Sequence, residues 1–239
     1  MTTPPPTSAP RLLHLGCGLI APTEWTNVDG SLNAWLTQRP RLRKLVTTLR
    51  LVPKSQTEIK WPTNVVVADL RKRLPFRDNE FDAVFSSHTL EHLYRTEALG
   101  LLRQAHRVLK PGGVCRSLVP DMRTMVKEYL GEMEMNWFEN EAHLKPDPCR
   151  LFVTRLLFRG EDPPRAGVFY RLYHAMTDHH WHKWLYDGPS LIKLMTEAGF
   201  VDCRERGLHE SEIPLIDKVE MPYRVLNGVG VVVEGRKPQ

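Results

Sequence analysis

The run Leu12-Leu13-His14-Leu15-Gly16-Cys17-Gly18, followed by Asn27-Val28-Asp29, constrains the fold more than any other stretch. An apolar segment enters a Gly-x-Gly turn, and a second short segment ends in a carboxylate. In α/β folds this pairing lets bare backbone approach a ligand and places an acceptor beside it. Only ten residues separate Gly18 from Asp29. That is too few for a full crossover helix plus a strand, so a shortened first crossover helix is expected.

The rest of the chain alternates in the same way. Residues 11–16 and Trp25 to Asp29 read as strands. Ser31 to Leu51 is basic and amphipathic, helical with a break at Pro40. Asn64 to Asp69, rich in β-branched residues, and Phe81 to Ser87 read as the next strands. From Thr96 to Leu109, Ala98, Leu101, Leu102, Ala105, Val108 and Leu109 recur at three- and four-residue steps and predict an amphipathic helix. Lys110-Pro111-Gly112-Gly113 ends it, and Val114 to Val119 follows as a strand. Residues 121–185 break the rhythm and read as a mostly helical insertion containing Trp137, Phe138, His143, Phe169, Tyr170, His174, His179, His180, Trp181, His182 and Trp184. Asp187-Gly188-Pro189 opens a helix over Ser190 to Ala198, which Gly199 closes; Val201 to Arg206 and Gly228 to Gly235 are the last strands.

The expected fold is therefore α/β, a Rossmann-like, mainly parallel seven-stranded sheet with a shortened first crossover helix and a helical insertion after strand 5. Ligands of such sheets sit beyond the carboxyl ends of the strands. Gly16 to Gly18, Asp29, Asp69, Ser86 to His88 and Asp121 each follow a strand, so all five groups fall on one rim.

Length and composition agree. A chain of 239 residues, 41% hydrophobic, suits a single domain over 11–239 after a flexible, proline-rich arm at 1–10. No apolar run approaches the roughly 18 residues that span a bilayer. The cysteines, Cys17, Cys115, Cys149 and Cys203, are widely spaced and form no Cys-x-x-Cys pair, which points to a reducing cytoplasm. The net charge of +5 is concentrated in Arg39 to Arg50 and Arg71-Lys72-Arg73. This reads as a solvated basic face, or as an attractor for acidic small substrates, anionic surfaces or nucleic acid.

At this point the chain resembles the class I S-adenosylmethionine-dependent methyltransferases. The matching pieces are His14-Leu-Gly-Cys-Gly18, Asn27-Val-Asp29, Val67-Ala-Asp-Leu70, Leu74-Pro-Phe76, Phe81-Asp-Ala-Val84, Ser86-Ser-His-Thr-Leu-Glu-His92 and Arg107-Val-Leu-Lys-Pro-Gly-Gly113, in the family's order. The resemblance implies that Gly16, Cys17 and Gly18 carry the turn beside the methionine part of S-adenosylmethionine. It further implies that Asp29 accepts from the ribose hydroxyls, Asp69 from the adenine amino group with the Leu70 backbone beside it, and that the main chain at Ser86 meets the methionine ammonium. His14 stands where the family usually has an acid. The pattern Leu-x-Leu-Gly-Cys-Gly…Trp-x-Asn-Val-Asp resembles a type 11-like branch associated with glycan and sugar modification.

Methyl transfer to an alcohol needs a base, and histidine titrates in the right range. His179, His180 and His182, in the insertion expected to roof the acceptor site, and His88, after the fourth strand, are the candidates. Glu91 and His92 match a family pattern that is more often structural. Asp121 reads either as a site residue, orienting a histidine or binding substrate, or as a helix N-cap. A divalent metal such as magnesium is not expected, because His-His-x-His lacks the helical ligand spacing of three or four. The expected activity is O-methylation of a small-molecule acceptor, a saccharide hydroxyl first, with a histidine base. N-methylation of an amine and RNA methylation are the alternatives. The run Ser86-Ser87-His88-Thr89 is not the Asn/Asp-Pro-Pro-Tyr/Phe run of base-methylating enzymes, which argues against nucleic acid. A non-enzymatic scaffold is opposed by the intact Gly16, Gly18, Asp29 and Asp69. A dehydrogenase is opposed by Pro22 and the short span to Asp29, which leave no helix N-terminus for a pyrophosphate. A homo-oligomer is compatible with all of these.

Overall fold

The structure, a computed structural model, describes residues 9–49, 59–134, 147–158, 181–226 and 229–239. The strands are β1 (Leu12–Leu15), β2 (Trp25–Asp29), β3 (Val65–Val67), β4 (Phe81–Ser87), β5 (Leu109–Pro120), β6 (Val201–Arg206) and β7 (Gly230–Arg236). They form one seven-stranded sheet in the order β3-β2-β1-β4-β5-β7-β6. The first five are parallel, and β7 runs antiparallel to both β5 and β6. Strand order reverses between β1 and β4, the switch point at which such sheets open a crevice.

The first crossover is shorter than expected. Residues 16–24 contain turns and no helix. Gly16 and Gly18 both take left-handed φ, +67° and +54°. The Gly16 and Cys17 amides donate to the Val28 carbonyl at 2.8 and 3.1 Å, so the turn is stitched to β2 and not to a helix of its own. Asn27 Nδ2 donates to the Pro22 carbonyl at 2.9 Å and closes the loop's other end.

The helices are α1 (Leu32–Thr37), α2 (Pro40–Thr48), α3 (Arg95–Val108), α4 (Met122–Tyr129), α5 (Pro148–Leu157) and α6 (Gly188–Glu197). Pro40 divides the basic stretch by starting α2, where its missing N–H costs nothing. On α3, Ala98, Leu101, Leu102, Ala105 and Val108 are buried, as their spacing predicts. Each of the two leucines contributes roughly 1.5–3 kcal/mol by leaving water. β5 begins earlier than expected, because the Lys110–Gly113 turn pairs with the chain's end: Gly112 N donates to Lys237 O at 3.0 Å and Lys237 N to Gly113 O at 2.9 Å.

Alternation along the strands builds two cores. Leu13, Leu15, Val84 and Cys115 face α3 and α6. Leu12, Ala83, Phe85, Val114 and Leu118 face the long connection between β6 and β7, which supplies Ile213, Ile216 and Val219.

Of the insertion, α4 and α5 are described, packed through stacked Tyr129 and Phe152 rings with centroids 5.0 Å apart. Residues 181–187 are not helical. Their backbone is spent elsewhere: Lys183 N and Trp184 N donate to Glu91 O at 2.7 and 3.2 Å, and Asp121 and Tyr186 form a parallel bridge. The predicted Trp137, Phe138, His143, Phe169, Tyr170, His174, His179 and His180 lie outside the described residues, as does residue 1–8 of the arm. Among the described residues, no helix is long and apolar enough to cross a membrane.

Candidate functional site

The parallel strands bring Gly16–Gly18, Asp29, Asp69, His88 and Asp121 to the same rim, each just beyond its strand or at its last residue. Gly16 packs so tightly on Thr89 that a Cβ would lie 2.1 Å from Thr89 Oγ1. At Gly18 a Cβ would meet nothing within 4 Å. The turn is thus pressed onto the end of β4 on one side and open on the other, where bare backbone can meet a ligand. Cys17 is buried, and burial, helped by the Asp29 carboxylate, pushes its thiol up to about 12. It is a neutral packing group and not a nucleophile.

Asp29 latches the turn. Its Oδ2 accepts from Gly18 N at 2.9 Å and its Oδ1 from Ser31 N at 2.8 Å. Each oxygen keeps a second lone pair, enough for a vicinal diol. Gly30 is needed next to it, since a Cβ would lie 2.8 Å from the Ala68 carbonyl. Asp69 is engaged differently. Arg71 grips both of its oxygens at 2.9 Å, and the side-chain hydrogen bond from Arg71 holds the carboxyl below its usual range. A ligand amino group at Asp69 would have to share the carboxylate with Arg71.

Ser86 lies within β4, paired with Leu15, its side chain buried and donating to Ser117 Oγ at 3.3 Å. The neighbouring Ser87 hydroxyl accepts from Arg224 Nη1 at 3.1 Å. His88 then leaves the strand with φ +49°. Its amide donates to Leu118 O at 2.9 Å, and its Nδ1 lies 3.1 Å from Glu91 Oε1. Its Nε2 is buried without a partner.

Asp121 is an N-cap. Its Oδ1 accepts from Arg123 N at 3.1 Å and its Oδ2 from Thr124 Oγ1 at 2.8 Å, which spends both oxygens on the first turn of α4. The His182 ring is stacked on Phe158 with centroids 5.0 Å apart. It approaches His92, at 5.3 Å between ring centroids.

His14, where an acid was noted as usual, is 1% exposed between Trp25 and Phe85. Burial, reinforced by the Arg224 charge, lowers its pKa to about 3, so it is a neutral imidazole.

Glu91, Tyr186 and Arg224 are the residues that sequence reasoning undervalued. Glu91 is fully buried beneath the rim, and Tyr186 is buried close enough for the Glu91 charge, after desolvation, to raise its phenol. A glutamate flanked by histidines in Ser86-Ser-His-Thr-Leu-Glu-His92 was the available signal.

The glycine turn, the latched acid at the end of β2 and a 3-2-1-4-5-7-6 sheet are the parts an S-adenosylmethionine site needs. Residues 13–116 match the family model described as a methyltransferase domain. That stretch of the chain, from the glycine turn to β5, is a methyltransferase domain. A comparison with curated protein sequences gives no match. Among solved structures, the chain is similar to a SAM-dependent methyltransferase from Thermotoga maritima, at 19% identity over 95% of this chain and 82% of that one, with a TM-score of 0.44. It is also similar to a SAM dependent methyltransferase from Archaeoglobus fulgidus, at 15% identity over 96% and 87%, with a TM-score of 0.46. The methyltransferase's cofactor fits the residues present: open backbone at Gly18 and free lone pairs on Asp29 suit a ribose and its flanking chain.

Proposed function

We propose that this methyltransferase acts on a small-molecule acceptor, a saccharide hydroxyl first, with His88 as the general base. The observation that carries the reading is His88 itself. It sits at the end of β4, one residue before the Thr89 that packs on Gly16, with Nδ1 against a buried carboxylate and Nε2 unpartnered. An imidazole oriented by an acid through one nitrogen takes a proton on the other. Bound S-adenosylmethionine supplies an activated methyl group on a sulfonium. Gly16 and Gly18 give its methionine end bare backbone, Asp29 orients the ribose, and Asp69 faces the adenine. Ser86 contributes main chain at the methionine ammonium. His88 receives the acceptor's hydroxyl proton as the oxygen takes the methyl, and positioning supplies much of the remaining rate. His179 and His180 then serve the acceptor end rather than the proton transfer, and Asp121 shapes it by starting α4. A reducing cytoplasm suits four free cysteines.

The test is transfer of labelled methyl from S-adenosylmethionine to a panel of monosaccharides, nucleotide sugars, amines and total RNA. Label in a saccharide supports the reading. Label in RNA or an amine overturns the acceptor class. His88→Gln should cut turnover about a hundredfold or more while S-adenosylhomocysteine affinity is unchanged; full turnover removes His88 as the base. Asp29→Ala should weaken S-adenosylhomocysteine binding tenfold or more in calorimetry, since it removes charged hydrogen bonds and unlatches Gly18.

A further inference from the structure

Below the rim, two segments about ninety residues apart in sequence converge on one buried carboxylate. Glu91 is 0% exposed, and neither of its oxygens accepts an aligned hydrogen bond. Leaving a charge buried without donors costs several kcal/mol unless something else compensates.

The compensating geometry is present. Glu91, His92 and His182 each offer a ligand atom, all within 4.8 Å of one another. The second nitrogen of His92 is arranged as in metal-bound histidines. His92 Nδ1 lies 3.4 Å from the Trp181 carbonyl, which leaves Nε2 as the lone-pair donor when Nδ1 carries the proton. His182 Nδ1 is buried without a hydrogen-bond partner and so is open to a metal. His88, 3.1 Å from Glu91 Oε1, then supports the carboxylate from the other side. The Tyr186 hydroxyl is a further buried group without a partner in the same region.

We propose that Glu91, His92 and His182 bind a divalent transition-metal ion, zinc first, that clamps the 181–187 segment onto the sheet rim. Two imidazoles and one carboxylate form a donor set that suits zinc and other first-row ions and is too nitrogen-rich for magnesium. Ligand atoms of a tetrahedral zinc site lie about 3.3 Å apart, so closing from 4.8 Å takes only a modest movement of side chains. Three protein ligands leave one position for water. The clamp explains why the chain brings Lys183 and Trp184 amides to the Glu91 carbonyl: the backbone contact and the metal fix the same two segments. The expectation of no metal rested on the spacing within His179 to His182; here the ligands come from separate segments, so that spacing does not bear on them. The site shares Glu91 with the base proposed above, since the same carboxylate lies 3.1 Å from His88 Nδ1, but its test by metal uptake does not depend on the acceptor.

The experiment uses untagged, chelator-treated full-length protein titrated with Co²⁺ and with Zn²⁺. Wild type should take up one ion per chain, with the intense visible absorption of low-coordinate Co²⁺, and Zn²⁺ should displace it and raise the melting temperature. His92→Ala and His182→Ala should weaken binding more than a hundredfold and abolish the zinc-dependent rise. His209→Ala, outside the cluster, should bind as wild type. Far-UV dichroism and S-adenosylhomocysteine binding on the same variants report folding and the cofactor pocket separately. His182→Asn serves if the alanine variant does not fold. Wild type that binds no Co²⁺ stoichiometrically, or His182 variants that bind as tightly as wild type, overturns the proposal.

Discussion

Two buried acid clusters sit under this sheet, and they are built in opposite ways. Around Arg116, every donor is used. Nε and Nη2 hold Glu220 side-on at 2.8 and 2.9 Å, Nη1 reaches Glu234 at 3.3 Å and the Glu210 carbonyl at 3.0 Å, and Nη2 also reaches the Gly207 carbonyl at 2.7 Å. Five bonds meet the five N–H groups of a guanidinium. Glu220 also accepts from His209 N, and Glu234 from Ser211 Oγ. Around Glu91, by contrast, both carboxylate oxygens, His88 Nε2, His182 Nδ1 and the Tyr186 hydroxyl are left without hydrogen bonds. A closed network fastens the β6–β7 connection to β5 and β7. An open one keeps valences for a ligand.

The largest effect should come from breaking the closed network. Arg116→Met strands Glu220 and Glu234 in the core and should cost about 3–5 kcal/mol in urea unfolding. If the loss is under 1 kcal/mol, the contrast collapses. His14 gives the next. It is buried and neutral with a pKa of about 3 against an ordinary 6.5. The unfolded chain therefore binds one more proton between those values. Stability is complete above about pH 6.5 and falls as pH drops toward 3, by about 1.4 kcal/mol per unit. Between pH 6.5 and 5 wild type should lose about 2 kcal/mol more than His14→Leu; equal losses would mean the imidazole is charged.

Smaller effects sharpen the other side. In metal-free protein, Glu91→Gln should leave stability unchanged or raise it, because it removes a buried charge whose oxygens accept no aligned hydrogen bond. Glu220→Gln, measured alongside, should cost clearly more. The exposed Asp69–Arg71 pair should matter least: Arg71→Ala should shift stability by under about 0.5 kcal/mol. The same variant frees Asp69, so S-adenosylhomocysteine should bind as well or more tightly; weaker binding would make Arg71 a cofactor ligand.

Much of the fold was legible because its signals are local. The short apolar runs Leu12–Leu15 and Phe81–Ser87, buried along nearly their whole length, and the three- and four-residue stripe on α3 report what each element buries. Gly16, Gly18 and Asp29 were legible as a turn and acceptor, although not as a latch through Gly18 N. Asp121's capping role was one of its two readings, and the structure spends both its oxygens on α4. Arg71's grip on Asp69 had no periodic signature, since either side chain alone reads as a solvated charge.

By itself the sequence determined the strand–helix alternation, the rim on which the glycine turn and Asp29 meet, and the methyltransferase reading. These follow from sterics and burial within a few neighbouring residues. Only the tertiary structure decided that Arg116 is satisfied by Glu220, and that His182 reaches Glu91 and His92. The reason is range: those partners lie about ninety or more residues apart, and their meeting depends on the path of the whole chain across the sheet.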